Sequence, residues 1–264
     1  MLPPLHHGHG FSLAAACLMI GAPLLIGAGL PLDEAIALGD DAAVISGVPT
    51  QLSRLVAHPG AGVLHPRRIV SGSGRLAPGL AARLQEMYGP VLIDFYGSTA
   101  TGTVCIAIPD DLATAPGTVG RPAAGVRIRV LGDDGRPHPR GTVGVVHAGR
   151  RATGDLGWMD DAGRLFLAGR ADGLVVSGGE NISATEVEDY LADQPEVEDV
   201  HVRAVSDAEF GTVLVARVVL RSGAAAELRE RVKRDLGRHK APRIQVVPSI
   251  ERTATGKVRL DPAG

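Results

Sequence analysis

Residues 153–181 read TGDLGWMDDAGRLFLAGRADGLVVSGGEN, and the chain is organised around this stretch. Short apolar runs over 164–167 and 174–177 predict strands, separated by Gly- and Asp-rich turns. Polar residues stand where those runs end: Asp155 in a Thr-Gly-Asp turn, Arg170 closing a strand, Asp172 two residues on, and Gly178-Gly179 ahead of a helix start. Each has a structural reading as a turn former or solvated charge, and a chemical one as a group displayed at a strand end.

Working upstream, a strand over 68–70 ends in Ser71-Gly72-Ser73-Gly74 and is followed by an amphipathic helix over 78–88. Strand, glycine turn, helix is where α/β folds place ligands, although such turns are often only turns. The next strand, 91–95, ends in Tyr96-Gly97-Ser98-Thr99, an aromatic ring and small hydroxyls suited to a base and a phosphate. Helix over 33–38, strand over 42–46 and helix after Pro49 imply a parallel sheet covered on both faces. Between 103 and 149 the pattern changes to short β runs with Gly, Pro and Asp-Gly turns, a small antiparallel unit. Downstream, helices over 184–191 and 224–238 and strands over 200–205 and 213–220 predict a compact α/β module.

The chain has 264 residues and 45% hydrophobic content, enough for one large domain or two smaller ones. A formal net charge of −2 carries no basic footprint, so nucleic acid is not an expected partner. Residues 11–30 contain no charge, but Gly21-Ala22-Pro23 splits them into a helix-like half and a short Leu24-Leu25-Ile26 strand, so no membrane span is expected. Cys17 and Cys105 lack metal spacing and read as free thiols of a cytoplasmic protein. His7 and His9, without nearby Cys or carboxylate, make a poor metal site. The chain has three lysines, Lys233, Lys240 and Lys257, so a chemical lysine has few competitors. Residues 251–257 are not a P-loop, since Glu251 and Val258 stand where Gly and Ser or Thr are required. Lys257 on its Thr-Gly turn is either a solvated tail charge or a mobile cation for an oxyanion.

FYGSTATG (95–102), TGDLG (153–157), GRLFLAGRADGLVVSGGENISATEVE (163–188) and RTATGKVRL (252–260), in that order, resemble the C-terminal portion of the adenylate-forming acyl-CoA synthetases. GTVGRPAAGVRIRVLGDDGRP and EVEDYLADQPEVEDV are most similar to bacterial carboxylate–CoA ligases. The resemblance implies an α/β fold: residues 1–171 as part of the large adenylate-binding domain, parallel sheet plus antiparallel β unit over about 103–169, and 172–264 as a small mobile α+β domain. It implies that a carboxylic acid, fatty or otherwise hydrophobic, and ATP form an acyl-adenylate, whose acyl group passes to CoA after the C-terminal domain rotates.

By position, the resemblance gives Asp155 the ribose hydroxyls, Arg170 the ribose and phosphate end, and Tyr96 the adenine, with Gly72, Ser73 and Gly74 on its other side. Gly97 and Ser98 belong to the same loop, and Thr99 reaches the α-phosphate. Lys257 bridges carboxylate and α-phosphate, Asp172 is the hinge, Gly178 and Gly179 give passage to pantetheine, and His7 matches the gate of the acyl pocket. Three departures accompany this. The lysine-bearing loop for the β- and γ-phosphates normally precedes residue 1. Ala100 stands where the family has a glutamate that helps hold Mg²⁺, so no metal ligand is assigned. Between Gly144 and Thr153 the chain is shorter than the family norm by about twenty residues. The expected activity is therefore a CoA ligase, thioester formation from a supplied acyl-adenylate, or noncatalytic AMP binding by a homodimer or beside a separate N-terminal half.

Overall fold

The computed structural model describes residues 2–6, 8–98, 100–170, 175–177, 180–182, 184–207, 211–253 and 258. The chain divides into two compact units, residues 1–127, 162–165 and 252–264 in the first and 128–161 and 166–251 in the second.

In the first unit, β1 (Val44–Gly47), β2 (Arg68–Gly72), β3 (Leu92–Ser98), β4 (Gly102–Ala107) and β5 (Arg121–Pro122) form one sheet in that order. β1, β2 and β3 pair parallel, and β4 and β5 add antiparallel. Parallel neighbours require crossovers, supplied by α3 (Pro49–Ala57) and α4 (Pro78–Tyr88). Both helices begin with proline, whose missing N–H costs nothing at the first turn. Their apolar stripes, Leu52 and Leu55 on α3 and Leu80, Ala81 and Leu84 on α4, bury against Ile45, Ile69 and Leu92 of the sheet. α1 (Gly8–Ile20), α2 (Leu32–Leu38) and the one-turn α5 (Pro109–Thr114) complete the unit.

Two sequence expectations are corrected here. Leu24-Leu25-Ile26 forms no strand: the segment follows α1 as irregular backbone and belongs to none of the four sheets of the described residues, so its apolar composition is not matched by a ladder. The antiparallel β unit begins at Ile128 and not near 103, because Tyr96 pairs with Cys105 and Ile106 with Arg121, drawing β4 and β5 into the sheet of β1 to β3.

In the second unit, β6 (Ile128–Leu131), β7 (Gly144–Ala148), β8 (Arg151–Met159) and β9 (Leu165–Arg170) form a four-stranded sheet in sequence order. Gly149 and Arg150 alone connect β7 to β8, with Ala148 paired to Arg151 and Gly149 at φ 61°. Trp158 and Phe166 stack with ring centroids 4.2 Å apart, a cross-strand contact that fixes β8 against β9. β10 (Val175–Ser177) pairs antiparallel with β11 (Glu180–Ile182), so a second strand follows 178–179 where the sequence suggested a helix start. The helix begins instead at α6 (Ala184–Ala192).

β12 (Val197–Asp207), β13 (Gly211–Leu220) and β14 (Arg243–Val246) form the last sheet. Val187 and Leu191 of α6, with Leu228 and Val232 of α7 (Ala225–Asp235), bury against Val200, Val202, Leu214, Ala216 and Val218. The parallel edge strand β14 carried no sequence expectation.

Gly120, at φ 85°, is one of the tightest points among the described residues, where an added Cβ would fall 2.0 Å from the Ile106 carbonyl oxygen. Gly120→Ala is expected to cost more than the roughly 1–3 kcal/mol of a strained left-handed residue, because β4 must also move. Gly21→Ala, at φ 68° with open space around it, pays only the conformational part. Thermal unfolding of the two variants should rank Gly120→Ala well below Gly21→Ala.

Candidate functional site

Parallel pairing brings the carboxyl ends of β1, β2 and β3 side by side. Gly47 is in register with Ser71, Ser71 with Asp94, and Gly72 with Phe95. The Gly72-Ser73-Gly74 turn therefore lies next to the strand end that carries Tyr96, Gly97 and Ser98. Ser73 takes φ 65°, a conformation non-glycine residues adopt sparingly and mostly at turns and functional loops. A Cβ on Gly74 would lie 3.3 Å from Pro49 Cδ, so this turn packs over the start of α3.

Gly97 owes its identity to packing, since a Cβ there would fall 2.0 Å from the Gly102 carbonyl oxygen across the β3–β4 hairpin. The Ser98 hydroxyl lies 2.9 Å from Thr101 Oγ1, and Thr101 Oγ1 also accepts from the Ser98 amide at 3.1 Å. Thr101 thus staples the turn that contains Ala100, a role that sequence reading missed. Thr99 and His7 lie outside the described residues.

Two residues on from His7, His9 is seated among the strand ends. Its Nε2 shares a 2.9 Å hydrogen bond with the buried Ser46 hydroxyl, and its Nδ1–Cε1 edge lies where a Cβ on Gly72 would be 3.4 Å away. Burial pulls the His9 pKa below its ordinary value, opposed by the Gly72 backbone. That backbone is near enough to favour the charged ring, but Nδ1 has no hydrogen-bond partner.

The same row contains a buried carboxyl, Asp94, 3% exposed, beside Ser71, which is fully buried. Ser71 faces Asp94 closely enough to oppose the effect of burial, yet Ser71 Oγ and Asp94 Oδ1 lack partners at hydrogen-bond distance. Burial dominates and pushes the Asp94 pKa up to about 6. Asp94 lies inside β3 in register with Ser71, one residue before the end of β2. The signal in the sequence was Asp94 itself, a charge at an inward position of an apolar strand.

In the second unit the register of β7 and β8 breaks around Val146. Val145 pairs with Leu156 and His147 with Ala152, so Thr153, Gly154 and Asp155 together oppose a single residue. The predicted Thr-Gly-Asp turn is thus a bulge inside a continuous strand, a device that re-aims a side chain. Thr153 Oγ1 holds it by donating to the Val146 carbonyl at 3.1 Å and accepting from the Asp155 amide at 3.2 Å. Gly154, at φ 81°, leaves room for the Arg170 guanidinium, whose Nη2 would be 2.9 Å from a Cβ there. Arg170 Nη1 lies 3.3 Å from Asp155 Oδ1, with Asp155 17% and Arg170 57% exposed. The structure thus joins two residues fifteen apart in sequence into one acceptor and donor pair.

Lys257, Asp172, Gly178 and Gly179 lie outside the described residues, and an antiparallel bridge between Arg252 and Val258 is what the structure places near that lysine. Of the other lysines, Lys240 is held by both Glu186 oxygens at 2.7 Å and Lys233 by Glu230 at 2.5 Å. Among the described residues no group of three His, Cys, Asp or Glu is arranged to hold a metal ion, and Ala100 offers no side-chain oxygen. No helix among the described residues is long and apolar enough to cross a membrane.

A mixed α/β unit with polar strand ends, followed by an antiparallel sheet and an α+β module, is the architecture of adenylate-forming enzymes. The family described as AMP-binding enzyme matches residues 1–153, and the AMP-binding enzyme C-terminal domain matches 186–257. The chain belongs to the AMP-binding enzyme family. It is 31% identical over 97% of its length to sulfoacetate–CoA ligase of Cupriavidus necator, covering 56% of that protein. The amide bond synthetase McbA from Marinactinospora thermotolerans superposes with a TM-score of 0.85 at 28% identity, covering 97% of this chain and 59% of McbA. o-Succinylbenzoate CoA synthetase (MenE) from Bacillus subtilis, in complex with the acyl-adenylate intermediate OSB-AMP, gives 0.82 at 25% identity, covering 98% and 58%. The chain thus spans less than two thirds of the proteins it matches.

The folded protein holds the Asp94 proton more tightly than the unfolded chain, so rising pH costs stability between about 4 and 6. The full penalty, roughly 3 kcal/mol for a shift of about two units, is present above pH 6 and absent below about 4. Asp94→Asn, which cannot ionise, should unfold at a higher temperature than the parent at pH 7.5 and lose that advantage near pH 4. A variant difference independent of pH would show that Asp94 stays charged in the fold.

Proposed function

We propose that this chain supplies the ribose clamp, hinge and catalytic lysine of an ATP-dependent carboxylate–CoA ligase. The observation that carries the reading is the Asp155–Arg170 pair, set by the 153–155 bulge and by a glycine that lets the guanidinium cross it. A carboxylate offers two acceptor oxygens to the two donors of a cis-diol, and the guanidinium fork suits the adjacent phosphate. Tyr96 packs against adenine, with Gly72, Ser73 and Gly74 along its other side and Gly97 and Ser98 shaping the loop. Thr99 reaches the α-phosphate, and His7 borders the acyl pocket.

In the first half-reaction a carboxylate oxygen attacks the α-phosphorus of ATP and pyrophosphate leaves. Lys257 neutralises the two anions as they approach. Residues 172–264 then rotate as a mobile domain about Asp172 relative to residues 1–171. The CoA sulfur, its pantetheine arm passing Gly178 and Gly179, attacks the acyl carbon and AMP leaves with the carbonyl–oxygen bond pair. The domain boundary is supported by the gap between the two family matches, which end at 153 and resume at 186. The acid is a fatty or otherwise hydrophobic one in this reading, with Arg75, the single charged group of the 72–76 loop, solvated. The protein works in the cytoplasm, as a homodimer or with a separate N-terminal half.

Ala100, at the position where a glutamate was expected, favours a second, narrower reading, thioester formation from an acyl-adenylate made elsewhere. Pyrophosphate exchange with a panel of fatty and aryl acids tests the first half-reaction. Synthetic acyl-AMP with CoA tests the second.

Asp155→Asn should weaken AMP binding about 10- to 100-fold, the loss of a charge-assisted hydrogen bond worth about 1.5–3 kcal/mol. Calorimetry or a thermal-shift titration reads this directly, and unchanged affinity would remove the ribose assignment. Lys257→Ala should lower pyrophosphate exchange at least about 100-fold. Thioester formation from supplied acyl-AMP should stay near the parental rate, and an equal fall in both would assign that lysine to the thiol step instead.

A further inference from the structure

β3 and β4 are joined by a hairpin whose closing pair is Ser98 opposite Gly102, just after a register shift between Tyr96 and Gly97. Within it Ser98 and Thr101 hold each other reciprocally. The Thr101 hydroxyl oxygen accepts from the Ser98 amide at 3.1 Å, and the Ser98 hydroxyl oxygen accepts from the Thr101 amide at 3.2 Å. The two hydroxyl oxygens lie 2.9 Å apart, and Thr101 Oγ1 donates to the Gly102 carbonyl at 3.3 Å. The Thr101 amide also donates to the Ser98 carbonyl at 3.2 Å. Ordinary hairpin chemistry accounts for part of this. A short hairpin loop often ends in a left-handed residue, and Gly102 at φ 68° is that residue here. The hydroxyl at 101 is left unexplained. The turn is exposed, where water satisfies backbone groups, so the extra bonds are not needed to avoid a burial penalty.

Proton accounting gives that hydroxyl a use. Each hydroxyl has one proton and two lone pairs, and the proton rotates to suit its partners. When Thr101 gives its proton to the Gly102 carbonyl, Ser98 gives its own to Thr101 Oγ1, and both are spent inside the turn. When Thr101 gives its proton to Ser98 Oγ instead, the Ser98 O–H is released outward. Ser98 Oγ then still accepts from the Thr101 amide, so the turn keeps its shape. The bond given up is the 3.3 Å contact to Gly102, the longest of the set. The hairpin stands at the end of β3, beside the strand end that carries the Gly72 turn, since Gly72 is in register with Phe95. With Ala100 offering no polar side chain, Ser98 and Thr101 supply the side-chain hydroxyls among the turn's described residues.

We propose that Thr101 is a positioning residue for nucleotide binding: it aims the Ser98 hydroxyl and frees its proton for a phosphate oxygen. This rests on the nucleotide reading of the preceding section, and adds a residue that acts without touching the ligand. A staple with no other role would affect nucleosides with and without a phosphate alike.

AMP and adenosine differ by the phosphate alone, and the test titrates each against the full chain by calorimetry. The parent should bind AMP more tightly than adenosine. Thr101→Val keeps the side-chain shape without the hydroxyl. It should lower AMP affinity about fivefold, the scale of one net hydrogen bond, and leave adenosine affinity within about twofold. Thr101→Ser should restore the parental AMP affinity. Ser98→Ala should lose as much as Thr101→Val, and the double variant no more than either alone, because Thr101 acts through Ser98. If thermal unfolding shows that Thr101→Val does not fold, Thr101→Ala takes its place with the same expectation. Equal loss of AMP and adenosine, no loss of either, no rescue by serine, or additive losses in the double variant would overturn the proposal. The nucleotide reading fails in a different way. A parent that binds neither AMP nor adenosine sinks both statements, whereas a parent that binds the two equally tightly keeps the ribose assignment and sinks the phosphate contact alone.

Discussion

Parallel pairing of β1, β2 and β3 is the constraint on which the first unit depends. Once Gly47, Ser71 and Asp94 share a register, the turns that leave those strands must emerge at one edge. The helices α3 and α4 follow from the same requirement, because a parallel neighbour is reached only by a crossover long enough to pack on the sheet. The polar atoms of Ser46, Ser71, Asp94 and His9 are consequences of that geometry, gathered where hydrogen-bonded strands give way to loops. Ser46 Oγ and His9 Nε2 satisfy one another, whereas the burial of Ser71 Oγ, Asp94 Oδ1 and His9 Nδ1 is costly.

The second unit reaches a comparable result by a local irregularity. A regular β8 would place Thr153 and Asp155 on one face of the pleat, and the bulge opposite Val146 breaks that regular spacing. The acid is then aimed by the hydroxyl of Thr153 and met by an arginine from the neighbouring strand. The direct Gly149-Arg150 connection keeps the β7–β8 ladder from the turn inward, with Ala148 opposite Arg151 and His147 opposite Ala152.

Much of this was legible in the sequence, and particular residues show why. Helix α4 was readable to its ends because Pro78 begins it, Leu80, Ala81 and Leu84 repeat at helical spacing, and Gly89 stops it at φ 78°. The strand ends at Gly72 and Tyr96 were readable because glycine and hydroxyl runs interrupt apolar ones. The membership of β4 and β5 was not, because turn chemistry reports a hairpin but not the sheet it joins. The strand expected at 24–26 failed for a related reason: composition reports a preference for extension, but sheet membership is decided by tertiary context. At the site, Asp155 and Arg170 were identified as separate motifs, while their pairing, the bulge between them and the buried Asp94 beside Ser71 required coordinates. A carboxyl pKa near 6 is a property of enclosure, and enclosure is not written at any single position.

The two cysteines differ in a way that has a practical consequence. Cys105 is fully enclosed in β4, and burial pushes its pKa up to about 12, so almost none of it exists as the thiolate that reacts. Cys17 sits on α1, partly open. Mild thiol reagents therefore address one position on the native protein, and that position lies on the apolar helix. A fluorophore attached there needs no engineered cysteine and would sense the polarity of whatever surrounds α1.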